Sequence, residues 1–399
     1  MAVNLFTGAI SANTNVAGNW SQGTVPTATD GHVTTWDNTS PACTVNAALA
    51  CNSIDFNGGT GYANTITVTF GISSAGAVTL SAAMTRAGAA GLTVTVGATL
   101  TSNGFSWGNN LTFSGGAQTF TMADNWTVND LIKGDTTATT TINGNQININ
   151  GNLTLTTRNI NGTTILNMQG TGSWTSSNGI LSNPLILTAN STVSGTVIIG
   201  TNITTGTITA SGSCTTTGST LRIYGSTTLD TSAMTWNNVT SYSLAGTTTL
   251  SSALNIGGTL STASGISLII NGAFNTSVAG LTISSGNLSG TSTVVFNGTG
   301  TWNHTSTGTI SNNITINTAG TLTLGSLQFI NSQTVTYTAG TLVTAGSTLR
   351  IYGNATLNTN GMTWATVSIQ DVTSSVTLSS LFSATTLNLS GNFTTTFAG

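Results

Sequence analysis

The sequence predicts an all-β fold, a parallel β-helix (β-solenoid) with an N-terminal capping module. Three observations predict it: short alternating strands, Asn-Gly punctuation and a long internal repeat. Thr65-Ile-Thr-Val-Thr-Phe70, Leu92-Thr-Val-Thr-Val96 and Leu153-Thr-Leu-Thr156 set apolar residues at every second position. That spacing sends the apolar set to one face of a strand and the threonines to the other. β-Branched residues suit such a pleated surface. Asn-Gly pairs at 57–58, 103–104, 143–144, 150–151, 161–162, 178–179, 271–272, 297–298 and 360–361 are expected to supply the positive φ of tight turns. Only three prolines occur, and no amphipathic helical stretch is evident.

Four anchors of the repeat recur at one common offset. Ser219-Thr-Leu-Arg-Ile-Tyr-Gly225 returns as Ser347-Thr-Leu-Arg-Ile-Tyr-Gly353, and Gly170-Thr-Gly-Ser-Trp174 as Gly298-Thr-Gly-Thr-Trp302. Ile142-Asn143-Gly144 returns as Ile270-Asn271-Gly272, and Met234-Thr-Trp236 as Met362-Thr-Trp364. An earlier copy ends at Trp107 and precedes Trp236 by nearly the same interval. These anchors divide the chain into an entry and capping module (1–90), two long repeats (91–219 and 220–347) and a truncated third (348–399). Strands roughly every 10–14 residues with a tandem repeat point to a solenoid with coils of roughly 20 residues. Tandem β-sandwich modules are the alternative, because a repeat of this length also fits one sandwich. Scarce charge, no linkers and similarity running through the supposed boundaries favour the solenoid.

Only 3% of the chain is charged, against roughly 25% in an ordinary domain. An apolar fraction of 38% and a net charge of −3 nevertheless allow a buried core rather than disorder. Five dispersed basic residues make no phosphate-binding patch, so nucleic acid and anionic membrane surfaces are excluded as primary partners. No run approaches 18 apolar residues, so no helical membrane insertion is expected. The first residues lack the basic and apolar regions of a secretory signal, and release by cell lysis or a dedicated secretion route is expected instead. Cys43, Cys51 and Cys214 are too few for a disulfide framework. Cys43 and Cys51 either pair across neighbouring strands or serve as small buried apolar residues.

The first sixty residues differ in texture. Gly18-Asn19-Trp20-Ser21, Val25-Pro26-Thr27, Asp30, Cys43-Thr44-Val45-Asn46 and Cys51-Asn52-Ser53-Ile54-Asp55-Phe56 together resemble the N-terminal portion of β-helical structural and fibre proteins of tailed bacteriophages, and of related bacterial surface β-solenoid proteins. The segment departs from that pattern after Asp30, where Gly31-His32-Val33 replaces a second acidic residue. A solenoid's terminal coil exposes backbone groups and apolar interior, and an atypical unit covers them. Trp20 and Trp36 are therefore expected as lid residues. The last residues, Asn392 to Gly399, show no comparable cap and are expected to pair with another copy or a second subunit.

Candidate chemistry is sparse. There is no Glu, and glycoside hydrolysis usually needs two carboxyl groups. Asp124, Asp130 and Asp135 with Lys133 form the densest polar cluster; turn formation is the main reading, with weak Ca²⁺ binding or catalysis as lesser ones. Asp30, His32 and Asp37 form a second cluster, read as loop residues of the cap, with a metal-ligand pair as the lesser reading. Alternation turns Met234 and Trp236, Met362 and Trp364, and equally Trp107, inward as core, with a sugar-stacking platform as the alternative for the Met-Thr-Trp pairs. In Leu-Arg-Ile-Tyr the Leu and Ile turn inward, while Arg222/Tyr224 and Arg350/Tyr352 face outward as candidate contacts for a surface glycan or partner chain; isolated cation–π pairs are the alternative.

The expected function is that of a non-enzymatic structural virion protein, a fibre, tail or capsid-decoration component on the virion surface. Its expected partners are other virion subunits, itself (a homo-oligomer, for example a trimer) and cell-surface glycan, with no cofactor and no metal. The alternative is an extracellular adhesin or filament subunit on a bacterial cell surface. An ice-binding solenoid and a glycan-cleaving tailspike are less favoured.

Overall fold

The computed structural model describes all residues except 1, 59–60, 116, 134–138, 157–158, 177–178, 188–190, 194–195, 200–205, 211–215, 217, 232–233, 242–245, 306, 332, 371–374, 391–393 and 398–399. Cys214, Asp135 and much of the C-terminal stretch thus lie outside the described residues. The expected fold is present: parallel strands stack as a β-solenoid. One 3-10 turn, Ala17–Asn19, is the only helical element among the described residues. The chain forms two compact units, Met1–Val193 and Ser194–Gly399.

In the N-terminal unit the coils stack on three faces, most of them supplying one strand to each, while the entry coil and the coil around Ser106 give the second face only a single-residue bridge. On the third face Leu49, Ile72, Leu92, Leu111, Leu131, Leu153 and Trp174 stand in one parallel register. Successive coils therefore take unequal lengths of chain, close to the expected size. Parallel neighbours cannot be joined by hairpins, so this register rules out the antiparallel sandwich alternative. Alternation does what the sequence requires. Leu92–Val94, Leu111–Phe113 and Leu153–Leu155 each run buried, half-buried, buried, with threonine outward. Each inward Leu, Val or Ile contributes roughly 1.5–3 kcal/mol by leaving water, an upper figure given a compact unfolded chain.

The entry segment covers the first coil. Ala2–Leu5 lies parallel to His32–Asp37 on the first face, and Asn13 bridges to Thr44 on the second. Phe6 meets Trp20 edge-on at 5.1 Å, Trp20 meets Trp36 edge-on at 5.4 Å, and Trp36 stacks on Phe56 at 4.4 Å. The Trp20 indole donates to Thr14 O at 2.8 Å. Asn19 is fully buried; its Oδ1 accepts from the Ile10 and Ser11 amides and its Nδ2 donates to Ser11 Oγ and Asn13 O. This arrangement accounts for Asn and Trp side by side in Gly18-Asn19-Trp20: one ties the loop's backbone, the other fills the core beneath it.

The C-terminal unit, taken by itself, also has three faces, numbered in chain order, but several strands run continuously around the corner from the third face to the first. Leu254–Ser261, Thr276–Ile283, Ile314–Leu324 and Thr334–Val343 do so, with register shifts at the bend. On the first face Leu221, Val239, Leu260, Leu281, Trp302 and Leu324 stack in succession. On the second, Leu268, Leu288, Ile310, Ile330, Ile351, Ile369 and Leu389 do the same. Leu221 therefore stands on the first face, whereas Leu349, its counterpart in the next repeat, stands six coils on and on the second. The sequence repeat spans six and one third coils, and each repeated strand moves around by one face.

The Asn-Gly expectation holds only in part. Asn103 and Asn360 adopt positive φ together with the glycines that follow, and Gly144, Gly162 and Gly272 also do. Gly58, Gly151 and Gly298 do not have positive φ. Gly151 is required for another reason: a Cβ there would lie 2.2 Å from Asp130 Oδ1 in the neighbouring coil.

Candidate functional site

The aromatic residues expected inside are inside. Trp20, Trp36, Trp107, Met234, Trp236 and Trp364 are at most 2% exposed, and Met362 is 6%. Trp302 and Trp364 meet edge-on at 6.2 Å. Cys43 and Cys51 are separate buried thiols; burial pushes them up to about 11 and about 12, so neither is a nucleophile near neutrality.

The carboxylates serve the coil corners. Asp124 accepts from the amides of Ser102 and Asn103 in one neighbouring coil, and Asp130 from that of Asn152 in another. The strand Trp126–Val128 separates these two corners. Lys133 is not part of a solvated cluster: it is fully buried, in the inward register between Phe113 and Leu155. Asp30 binds the Thr27 and His32 amides at 2.9 Å each, and its Oδ2 lies 3.9 Å from His32 Nδ1. Burial alone would raise the Asp37 carboxyl, but hydrogen bonds from Thr39 and Ser40 outweigh it and hold it below its usual value. Among the described residues no three His, Cys, Asp or Glu side chains come together as a metal-ligand set.

Sequence reasoning passed over two polar groups, His304 inside the core and Arg86 half-buried beside it. His304 is 3% exposed; its Nδ1 lies 2.7 Å from Gly308 O and its Nε2 accepts from the Trp302 indole at 3.3 Å. Burial pushes it down to about 4, and the two contacts suit the neutral ring protonated at Nδ1. Arg86 stands over the Trp107 ring at 4.7 Å and donates to the carbonyls of Gly88 and Ala90. Its register partner Ile66 is fully buried. An arginine thus occupies an inward position, its stem covering apolar surface and its head on an indole.

The two Arg/Tyr strands keep the expected alternation. Leu221, Ile223, Leu349 and Ile351 are buried, and Arg222, Tyr224, Arg350 and Tyr352 are half-buried on the outward side. They do not form one patch. Arg222 lies on the first face between Ile198 and Thr240, and Arg350 on the second between Phe329 and Ser368. Six coils at the strand spacing separate them by about 29 Å along the stack.

Near the second of these strands lies a cleft of about 360 Å³, lined by Asn313, Gln333, Thr334, Asn354, Ala355, Thr356, Ser375 and Thr377. It occupies the corner where the chain passes from the second face to the third. Tyr352 ends the strand Thr348–Tyr352 two residues before Asn354, and its hydroxyl donates to Gln370 Oε1 at 2.9 Å. Thr334, Thr356 and Thr377 share one register. Asn313 Oδ1 accepts from the Thr334 amide and Asn354 Oδ1 from the Ser375 amide, so each asparagine ties its corner to the next coil. Gln333 differs. It is 4% exposed, and neither amide atom has a hydrogen-bond partner. Burying such a group unpaired costs about 1–3 kcal/mol. The sequence signal for this site is a polar residue recurring once per coil, which variable coil lengths and abundant Asn and Thr conceal. Comparison with family models, curated proteins and solved structures finds no match for the chain.

Proposed function

We propose that the protein is a non-enzymatic structural component of a bacteriophage virion, a fibre, tail or capsid-decoration part that projects from the particle and engages a surface. The observation that carries this reading is the outward chemistry of the stacked coils. Their outward positions hold Thr, Ser and Asn, and Asp30, Asp37, Asp55, Asp124 and Asp130 all accept from nearby backbone amides. A surface of hydroxyl and amide groups attracts no polyanion, and it suits contact with neutral polymers or with further copies of itself. Stacked coils also draw their stability from nearest neighbours, so length can be added without redesigning the core. The Gly18-Asn19-Trp20 entry segment, with its resemblance to phage structural proteins and to related bacterial surface solenoids, supports an assembly part in either setting.

Immunogold labelling of a lysate from the producing culture tests this. Label on released particles is expected. Label confined to the envelope of intact cells would replace the virion reading with the adhesin one, and label on neither would overturn both.

A further inference from the structure

We propose that the last coil of the C-terminal unit is a dimer interface, on which a second copy of this chain docks its own last coil. Ser383–Leu389 pairs antiparallel with itself about a two-fold axis. The pairing does not depend on the virion reading, which the labelling experiment tests separately.

This coil leaves its interior open. Leu387 and Leu389 stand in the inward register, on Val367 and Ile369. Those two neighbours are 1% and 3% exposed, whereas Leu387 and Leu389 are 51% and 49% exposed. Beside Leu387 lies an apolar cavity of about 70 Å³, walled by Ile351, Leu357, Val376, Leu378 and Phe382. Among the described residues Ser383–Leu389 pairs only with Thr363–Ile369, and Thr394–Phe397 only with Ser375–Leu378. The Ser390 amide donates to Ile369 O, so alternation turns the amides and carbonyls of Leu387 and Leu389 to the free edge. Such an edge is a template for pairing, and proteins usually blunt it with charge or proline. Neither a charged residue nor a proline occurs between Val372 and Gly399.

The occupant follows from charge, symmetry and size. An uncharged coil offers a charged partner no counter-charge, and it sets no repulsion against a second copy of itself. Opposed residues of an antiparallel pair share a face. Pairing about Asn388 therefore sets Leu387 against the partner's Leu389, and Leu389 against the partner's Leu387, both on the inward side. Two open apolar interiors then close on each other. A coil of roughly 20 residues reaches the lower end of the 20–30 per partner found in stable interfaces.

The entry strand of another copy fits less well. The Leu5 amide donates to Ser21 Oγ, the Ser21 amide to Leu5 O and the Gln22 side chain to Val3 O, so that edge is already occupied. Phe6, Trp20 and Trp36 close the core beneath it. Joining last coil to last coil uses one patch twice and stops at two copies.

The test is sedimentation velocity of the full chain. A species of twice the 40.1 kDa chain mass, in concentration-dependent exchange with monomer, is expected. Leu387→Lys puts two like charges into one apolar contact and is expected to weaken the dimer at least about tenfold; Leu389→Lys should do the same. Both positions are half exposed in the single chain, so the monomer's fold should survive, which circular dichroism checks. Val3→Lys, on the exposed part of the entry strand, should leave the dimer intact. Asn388→Cys gives a measurement that does not rely on destabilising the coil. Asn388 faces its own copy across the axis, so mild oxidation of this variant is expected to yield a covalent dimer. Thr249→Cys, exposed on another coil, should yield none. A chain that stays monomeric, a series of growing oligomers, a dimer weakened by Val3→Lys but not by Leu387→Lys, or no cross-link through Asn388→Cys would each overturn the proposal. So would a monomer that binds a different purified protein through Leu387, since the coil would then belong to that partner.

Discussion

Two stretches of the C-terminal unit, 219–241 and 347–369, start from the same seven residues and fold the same way locally. Ser219 and Ser347 are buried, and each hydroxyl donates to the carbonyl three residues back, at 2.5 and 2.6 Å. Gly218 and Gly346 take φ of 72° and 74°, and Gly225 and Gly353 take 76° and 67°. Met234 N and Met362 N close identical turns at 2.8 Å on Thr231 O and Thr359 O. Yet one stretch begins on the first face and the other on the second. Corner geometry is thus set by a few residues within the motif, while the face, and so the neighbours, is set by how many residues the intervening coils consume. A repeat of six and one third coils scatters its outward residues around the stack. The recurring Arg/Tyr strands therefore cannot act together as one surface, and the site with the richer polar surroundings lies near Tyr352 alone.

The largest effect expected tests the shared part. Trp236→Ala and Trp364→Ala each remove a fully buried indole, and each is expected to cost about 3–5 kcal/mol in denaturant unfolding. A loss below about 1 kcal/mol at either position would mean that the two copies do not share an inward aromatic.

The next effect separates copies that diverge. Trp302-Asn303-His304 has Trp174-Thr175-Ser176 as its counterpart in the preceding repeat. Ser176 Oγ donates to Gly179 O at 2.6 Å, much as the His304 ring contacts Gly308 O, but the Trp174 indole has no partner. His304 is depressed from 6.5 to about 4, so the folded state holds the neutral ring. Above pH 6.5 both states are neutral and stability is full. Between pH 6.5 and 4 the unfolded chain takes up the proton first, and stability is expected to fall by about 3 kcal/mol. His304→Ser, which copies the earlier repeat, should remove that part of the acid sensitivity. An unchanged pH profile in the variant would sink the assignment.

A smaller difference concerns one threonine. Thr359 Oγ1 donates to Leu381 O at 2.7 Å, whereas its counterpart Thr231 is buried with its hydroxyl unpaired. Thr359→Val is expected to cost about 1 kcal/mol, and Thr231→Val to be neutral or stabilising, because only the first breaks a bond. Equal losses in thermal unfolding would show that the copies are alike after all.

These contrasts also mark what the sequence could disclose. Alternation in Leu-Thr-Val, the lid pair Trp20 and Trp36, and the inward Met and Trp of Met-Thr-Trp were legible because each depends on residues within a few positions of one another. The parallel register was legible only through the texture of the repeat. Gln333, Asn354 and Thr356 were not, because their proximity depends on coil lengths that vary along the stack. The step from Leu49 to Ile72 is longer than that from Leu92 to Leu111, and both are single coils. Lys133 was misplaced for a different reason. A charged residue reads as outward by type, but here the strand's period puts it inward and a long stem makes that position tolerable.

The smallest effect bears on the copy nearest the cleft. Tyr352→Phe removes the 2.9 Å bond to Gln370 from an exposed pair. An exposed hydrogen bond is replaced by water when lost, so the cost is expected at about 0.5 kcal/mol, near the lower limit for such bonds. Its use lies in combination. Tyr352 and Gln370 stand in adjacent coils, one residue beyond the Ile351–Ile369 register pair, so Tyr352→Phe and Gln370→Ala should be non-additive in unfolding. The same cycle between Tyr224→Phe and Gln370→Ala joins residues on different faces and should be additive. Coupling in the first cycle with none in the second is what the one-face rotation of the repeat requires; equal coupling in both would contradict it.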